Sequence, residues 1–329
     1  QRMRDTVVVG ASAGGLRALR GLMAALPADL PASIIVVNHV SPTAPSLLPE
    51  ILGGAGSLPV KTAEDGELLS RSTVYVAPND RHVLIEKGRL RLTRGPRENR
   101  VRPCIDVLFR SAAVVWGRRV IGVVLSGTPD DGTAGLWAIK DRGGLAVVQR
   151  PTDADYPDMP QNAMLQVDVD HVLSVAEMGT KLPQLVRQQT PLSPPVPERM
   201  ATETEIALRG RGLENGVLDL GTASPNACPE CHGSLVEIRE GSIARYRCHT
   251  GHSYSLRALL AETELAIERS LWSAVRAIEE RSFLLRTMEN RAREQGELDV
   301  GERLSAGAQR DEENAQGVRA LIVGSSPAH

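Results

Sequence analysis

Three residue types that together make an acyl-transfer site stand at the ends of strand-like runs in this chain. Ser12 lies in Gly10-Ala11-Ser12-Ala13-Gly14, a G-x-S-x-G turn that follows "TVVV" and leads into an apolar-periodic stretch. His39 closes the run "SIIVVNH", and Asp130-Asp131-Gly132 follows "VIGVVLSGTP". A serine hydroxyl becomes a nucleophile when a base takes its proton. Imidazole suits that task near neutral pH, and a carboxylate then fixes its tautomer. Singly, each residue has a plainer role: a serine caps a helix, a histidine sits hydrogen-bonded after a strand, and Asp-Gly makes a turn. Placement at three strand ends favours the triad, because functional groups in open α/β sheets gather at the carboxyl ends of the strands.

The same glycine-rich turn is also open to reading as a phosphate loop. Against that, the second strand ends in Asn38-His39, where a dinucleotide fold wants an acid for the ribose. Ser12 also takes the middle glycine's place, and no Gly-Lys-Ser/Thr follows. A further alternative keeps the fold but not the chemistry, as a catalytically inactive signalling scaffold.

A second constellation lies far downstream. Cys228-Pro-Glu-Cys231, sixteen intervening residues and Cys248-x-x-x-His252 have the spacing of a zinc ribbon. A closed Cys₃His set implies a structural metal, with His232 and His249 as alternative fourth ligands. Pairing two of these three cysteines would leave one odd, which disfavours a disulfide. "SLVEIREGSIARYRC" between the ligand pairs reads as a hairpin turning at Gly241.

The elements that must position these groups follow from the patterning. Strand-like and helix-like segments alternate to about residue 175, with a short hairpin turning at Lys87-Gly88. Such alternation predicts an α/β fold, a doubly wound, mainly parallel, Rossmann-like sheet with helices on both faces. The expected organisation is a catalytic α/β domain over 1–182 and a Pro-rich linker over 183–226. A zinc-ribbon-like module over 227–254 and a helical hairpin over 255–329 complete it, the hairpin broken at Gly296 and Gly301. Trp272 and Phe283 on its apolar face suit a partner helix or self-association. A net charge of −2 and the lack of aromatics among the basic residues argue against nucleic acid. No apolar run approaches a membrane span, and no signal-peptide pattern is seen from Gln1, so a cytoplasmic protein is expected. Five arginines between Arg91 and Arg102 could steer an acidic partner.

With these motifs in hand, the chain resembles the catalytic domain of the chemotaxis-receptor methylesterases (CheB). "VVVGASAGGLRAL", "VVNHVSP", "TVYVAPNDRHV", "RPCIDVLFRSAA", "GVVLSGTPDDGTAG" and "PDMPQNAM" fall in that family's order. The resemblance implies Ser12 as nucleophile, His39 as general base and Asp131 as the orienting acid, with no cofactor for catalysis. It implies an oxyanion and substrate site lined by Ala13, Gly14, Thr128 and Met159. Family members hydrolyse γ-glutamyl methyl esters on receptor helices, and many also deamidate glutamine. The expected partners are therefore methyl-accepting receptors, with regulators docking on the C-terminal helices. The sequence departs from the family pattern in four places. Ala13 replaces a frequent threonine, and Gly127-Thr128-Pro129-Asp130-Asp131-Gly132 replaces G-M-G-x-D-G. The usual receiver domain is not found ahead of the first catalytic strand, and the cysteine-bearing tail is added.

Overall fold

The computed structural model describes residues 2–39, 47–128 and 131–324. The first strand, β1 (Thr6–Ala11), is buried at every position. Parallel strands covered on both faces must be apolar throughout rather than alternating. Side chains still alternate between layers: Val7, Val9 and Ala11 join one core cluster, Val8 the other. β2 (Ser33–Asn38), β3 (Val60–Thr62), β4 (Thr73–Val76), β7 (Val120–Val124), β8 (Leu145–Gln149) and β9 (His171–Leu173) complete the sheet. The hairpin β5 (His82–Glu86) and β6 (Arg89–Thr93) stands apart from it. Lys87 and Gly88 both take positive φ, 50° and 81°, as a two-residue turn matched to strand twist requires.

The sheet order is β9-β8-β7-β1-β2-β4-β3, and every pair in it is parallel. Helices α1 (Gly15–Ala25), α2 (Leu48–Gly53) and α6 (Val175–Leu185) cover one face. Helices α3 (Ile105–Trp116), α4 (Thr133–Asp141) and α5 (Asp158–Gln166) cover the other. The direction of winding reverses at β1. Its neighbours β2 and β7 therefore diverge from a crevice at their carboxyl ends.

The stretch 183–226 is more than a linker. After the prolines it forms α7 (Glu198–Arg209), which buries Met200, Glu203, Thr204, Ile206 and Ala207 at helical spacing. Ala207 packs with Leu84, Cys104 and Val107, and Ile206 with Val236 and Ile238, so one helix joins the catalytic layer to the tail. A four-stranded antiparallel sheet follows, β10 (Thr222–Ala227), β11 (Ser234–Glu240), β12 (Ile243–Cys248) and β13 (Ser253–Ser255), turning at Gly241 as expected. A buried ionic network ties these pieces together: Glu98 meets Arg110 (2.9 Å) and Arg247 (2.8 Å), and Glu203 meets Arg245 (2.7 Å) and Arg247 (3.1 Å).

The described residues from 260 to 324 form a separate helical unit. Helix α8 (Leu256–Glu294) and helix α9 (Leu298–Gly324) are joined through Gly296, which is left-handed at φ 83°. Gly301, expected to be a break, lies inside α9, buried against Arg293. Within the pair, Arg281 binds Asp311 and Arg286 binds Glu312. Ile267, Trp272, Phe283, Leu284 and Met288 are exposed. No described helix is long and apolar enough to cross a membrane.

Candidate active site

β1 ends at Ala11, and the chain turns sharply there to start α1. The Ser12 N–H donates to Ser126 O (3.0 Å), which ties the turn to the end of β7, and Gly15 N–H closes it on Ser12 O (2.8 Å). Gly14 is left-handed, φ 69°, a conformation that costs most other residues energy. A Cβ there would also lie 2.7 Å from both Ser126 Oγ and Asp155 Cβ. The room beside the Gly14 Cα is thus filled by the protein's own loop. Met159 departs from expectation. It is fully buried, and a Cβ on Gly127 would lie 2.8 Å from its sulfur and 2.9 Å from Ser12 Cβ. Because α5 carries it into the core, Met159 backs the serine turn and does not line open space.

His39 N–H donates to Ala11 O (3.1 Å), so the end of β2 is pinned beside the serine turn. The imidazole Nδ1 lies 3.1 Å from Ser12 Oγ, and Nε2 lies 2.9 Å from Asp131 Oδ2. Asp131 is buried and accepts three backbone N–H bonds, from Ile105 (2.6 Å), Asp106 (3.1 Å) and its own neighbour Gly132 (3.0 Å). Ile105 and Asp106 open α3, so the carboxylate sits at a helix N-terminus, where the dipole favours negative charge. Burial alone would raise its pKa, but the contact with His39 and the bonds from Cys104 and Ile105 outweigh it and hold it down to about 2. An ionised Asp131 can only accept. The neutral imidazole therefore carries its proton on Nε2 and turns a free Nδ1 lone pair toward the serine.

The strand ends bring Ser12, His39 and Asp131 into one hydrogen-bonded row, with Ala13, Gly14 and Thr128 on the adjoining turns. The Ser12 and Gly127 amides are spent on Ser126 O and Tyr156 O (3.0 Å each). Asp130 lies outside the described residues. Several participants were not legible in the sequence. Asp106 lies beside Asp131, and burial together with that neighbour's charge pushes its pKa well up. The Cys104 thiol donates to Asp131 Oδ1 (3.0 Å), and Asn99 Nδ2 reaches Asp106 Oδ2 (2.8 Å) and Asp131 Oδ1 (3.3 Å). An acid two residues inside a helix that also follows a lone cysteine was the one available signal. The arginine-rich loop is largely committed to its own surface: Arg94 and Arg102 both bind Asp80, and Arg91 binds Asp65 and Glu86.

The second constellation also comes together. The ligand atoms of Cys228, Cys231, Cys248 and His252 all lie within 4.8 Å of one another. Cys231 and Cys248 sulfurs are 3.7 Å apart, and His252 Nδ1 is 3.4 Å from Cys248 and 3.7 Å from Cys228. Zinc–sulfur bonds of about 2.3 Å at tetrahedral angles put sulfurs roughly 3.7 Å apart, whereas a disulfide needs about 2.05 Å. The donor set therefore fits zinc. His252, not His232 or His249, completes this cluster.

The CheB methylesterase family model matches residues 7–182. A curated relative from Leptospira interrogans is 39% identical over 184 residues, covering 55% of this chain and 95% of its own length. The protein-glutamate methylesterase/protein-glutamine glutaminase 2 of Methanosarcina mazei is 34% identical over 193 residues, and the match covers 53% of it. The crystal structure of the Thermotoga maritima CheB methylesterase catalytic domain superposes with a TM-score of 0.53 at 33% identity. It covers 55% of this chain and 98% of that one.

Proposed function

The chain belongs to the CheB methylesterase family, and on that premise we propose that it is a serine hydrolase that removes methyl esters from glutamate side chains of chemotaxis receptors. The observation that carries this reading is the row Ser12 Oγ, His39, Asp131, with 3.1 Å and 2.9 Å contacts at adjacent strand ends. His39 Nδ1 takes the Ser12 proton as the oxygen attacks the ester carbonyl. Asp131 holds Nε2–H and stabilises the imidazolium. The Ala13 and Thr128 amides meet the oxyanion, each such donor contributing roughly 3 kcal/mol in other enzymes. The His39 proton leaves with methanol, and a water activated by the same nitrogen hydrolyses the acyl-enzyme. Replacing methoxide by amide as leaving group gives glutamine deamidation by the same steps. Cys228, Cys231, Cys248 and His252 would hold a structural zinc, which would cross-link the two ends of the β11–β12 hairpin. The exposed Trp272 and Phe283 offer a surface for a regulator.

The test is methanol release from methylated receptor membranes, with Ser12→Ala beside wild type. Turnover should fall by roughly 10⁴- to 10⁶-fold in the variant, with an unchanged melting temperature because Ser12 Oγ contacts only His39 among the described hydrogen bonds. Equal release from both proteins overturns the serine mechanism.

A further inference from the structure

Asn99 stands between the two constellations. Its backbone is left-handed at φ 50°, and Arg100 follows at φ 70°. Asparagine tolerates that region better than most residues. Its N–H donates to Ser253 O (2.7 Å), and its Oδ1 accepts the Ser255 N–H (2.9 Å). Ser253 N–H donates back to Arg97 O (3.2 Å), so the residue directly after His252 grips this loop on both sides of Glu98. Glu98 is itself held by Arg247, whose guanidinium also donates to Gly251 O (2.9 Å) inside the ligand turn. On its other side, Asn99 Nδ2 donates to Asp106 and Asp131. One carboxamide thus spends its acceptor on the metal module and its donors on the two buried carboxyls behind His39.

We propose that Asn99 is a positioning residue for the esterase reaction, and that the metal module holds it in pose, so that the orientation of Asp131 depends on a module outside the catalytic layer. The proposal rests on Ser12, His39 and Asp131 being the reacting groups. The physical ground is competition for Asp131. A neutral Asp106 carries an O–H that, left without the Asn99 donor between them, would turn to Asp131 Oδ1. That bond would draw negative charge away from the oxygen that accepts His39 Nε2–H. A weaker acceptor there loosens the tautomer that leaves Nδ1 free for Ser12.

The test uses the full chain. In Asn99→Ala, kcat for methyl-ester hydrolysis should fall roughly 10- to 100-fold, the range known for groups that orient a reacting ligand, with KM unchanged. Nitrogen-15 shifts of the His39 ring should move from the Nε2–H form toward a tautomer mixture, which a loss of stability alone would not produce. Wild-type kcat with an unchanged tautomer overturns the role of Asn99. Should that variant fold poorly, the wild-type chain decides. Stripping metal with EDTA should speed amide exchange at Asn99 and Ser255 and slow the labelling of Ser12 by a fluorophosphonate, and added zinc should restore both. Exchange and labelling that ignore the metal overturn the link to the module. A chain that labels at Ser12 but releases no methanol defeats the substrate assignment instead, while tautomer and labelling still judge Asn99.

Discussion

The two clusters of this chain are built in opposite ways. Ser12, His39 and Asp131 come from distant parts of the sequence, and each is fixed by backbone bonds of the strand ends or of the α3 N-terminus before any ligand arrives. The cysteine cluster is drawn from residues 228 to 252 of one hairpin module, and its sulfurs stand at distances that fit a shared cation. Thiols need to be thiolates to ligate, and thiolates repel unless a metal sits between them. One site is preorganised by the fold; on the proposed zinc reading, the other would organise its fold through a ligand. Substitutions in the first should therefore cost activity more than stability, and in the second the reverse.

Asp131→Asn tests the first half most severely. A loss of about 10⁴-fold in turnover is expected, since an amide in that place favours the wrong imidazole tautomer. Stability falls as well, because Asp131 also accepts the Ile105, Asp106 and Gly132 amides. An asparagine offers one acceptor oxygen and turns an NH₂ toward some of these donors, at a cost of about 1–3 kcal/mol. Kinetics on the folded variant, with urea unfolding alongside, separates the two effects. A variant that keeps wild-type turnover would remove Asp131 from the mechanism.

Cys231→Ser, or zinc removal, should act in the opposite sense. Structural zinc supplies on the order of 10 kcal/mol of folding free energy in small zinc modules. Calorimetry should therefore show the module melting early while the sheet of the catalytic layer persists. A single unchanged transition, with no zinc found by elemental analysis, would break the comparison.

Between the two regions lies the ionic network, whose effect should come next. Glu203 is fully buried and serves Arg245 and Arg247 together. Glu203→Gln leaves buried guanidinium charge short of its partner, a change that costs about 3–5 kcal/mol in comparable sites. Burial alone would raise the Glu203 carboxyl, but the arginines win and hold it well below the usual glutamate range. Since its folded pKa is depressed, its contribution is complete above pH about 4.3 and is lost as pH falls further. Acid unfolding of the wild type should begin at this junction, and Glu203→Gln should flatten that limb of the stability curve.

The legibility of the two regions differs for the same reason as their construction. The cysteine module could be read locally, because spacing alone sets ligand geometry in a hairpin. The sheet and its strand ends were legible from the apolar runs of β1, β2, β7 and β8, and with them the meeting of Ser12, His39 and Asp131. What surrounds that row was not. Cys104 and Asp106 stand at the start of α3 and Asn99 on a loop bonded to residues 253 and 255, and no periodicity encodes such a contact. Pro157 and Pro160 do not stop helix α5, because they fall just before it or in its first turn, where a missing N–H costs nothing. The crowding of Gly14 by Asp155 and Tyr156, and the burial of Met159 in the core, cannot be seen in one dimension.

The smallest effect is expected on the loop that carries Asn99. Arg94 and Arg102 both bind Asp80, yet they differ in exposure, at 65% and 14% of the side chain. Arg102 also donates to Gly95 O (2.6 Å), so it fastens the loop to itself, whereas Arg94 ends at a solvated pair. An exposed pair contributes only about 0–1 kcal/mol, and salt screens it. Arg94→Ala should therefore leave both stability and Ser12 labelling near wild type, while Arg102→Ala lowers both by loosening the approach to Asn99. If Arg94→Ala instead slows hydrolysis of receptor but not labelling by a small phosphonate, the arginine is contacting the substrate protein. That outcome would return to this loop the steering role that its pairing with Asp80 argues against.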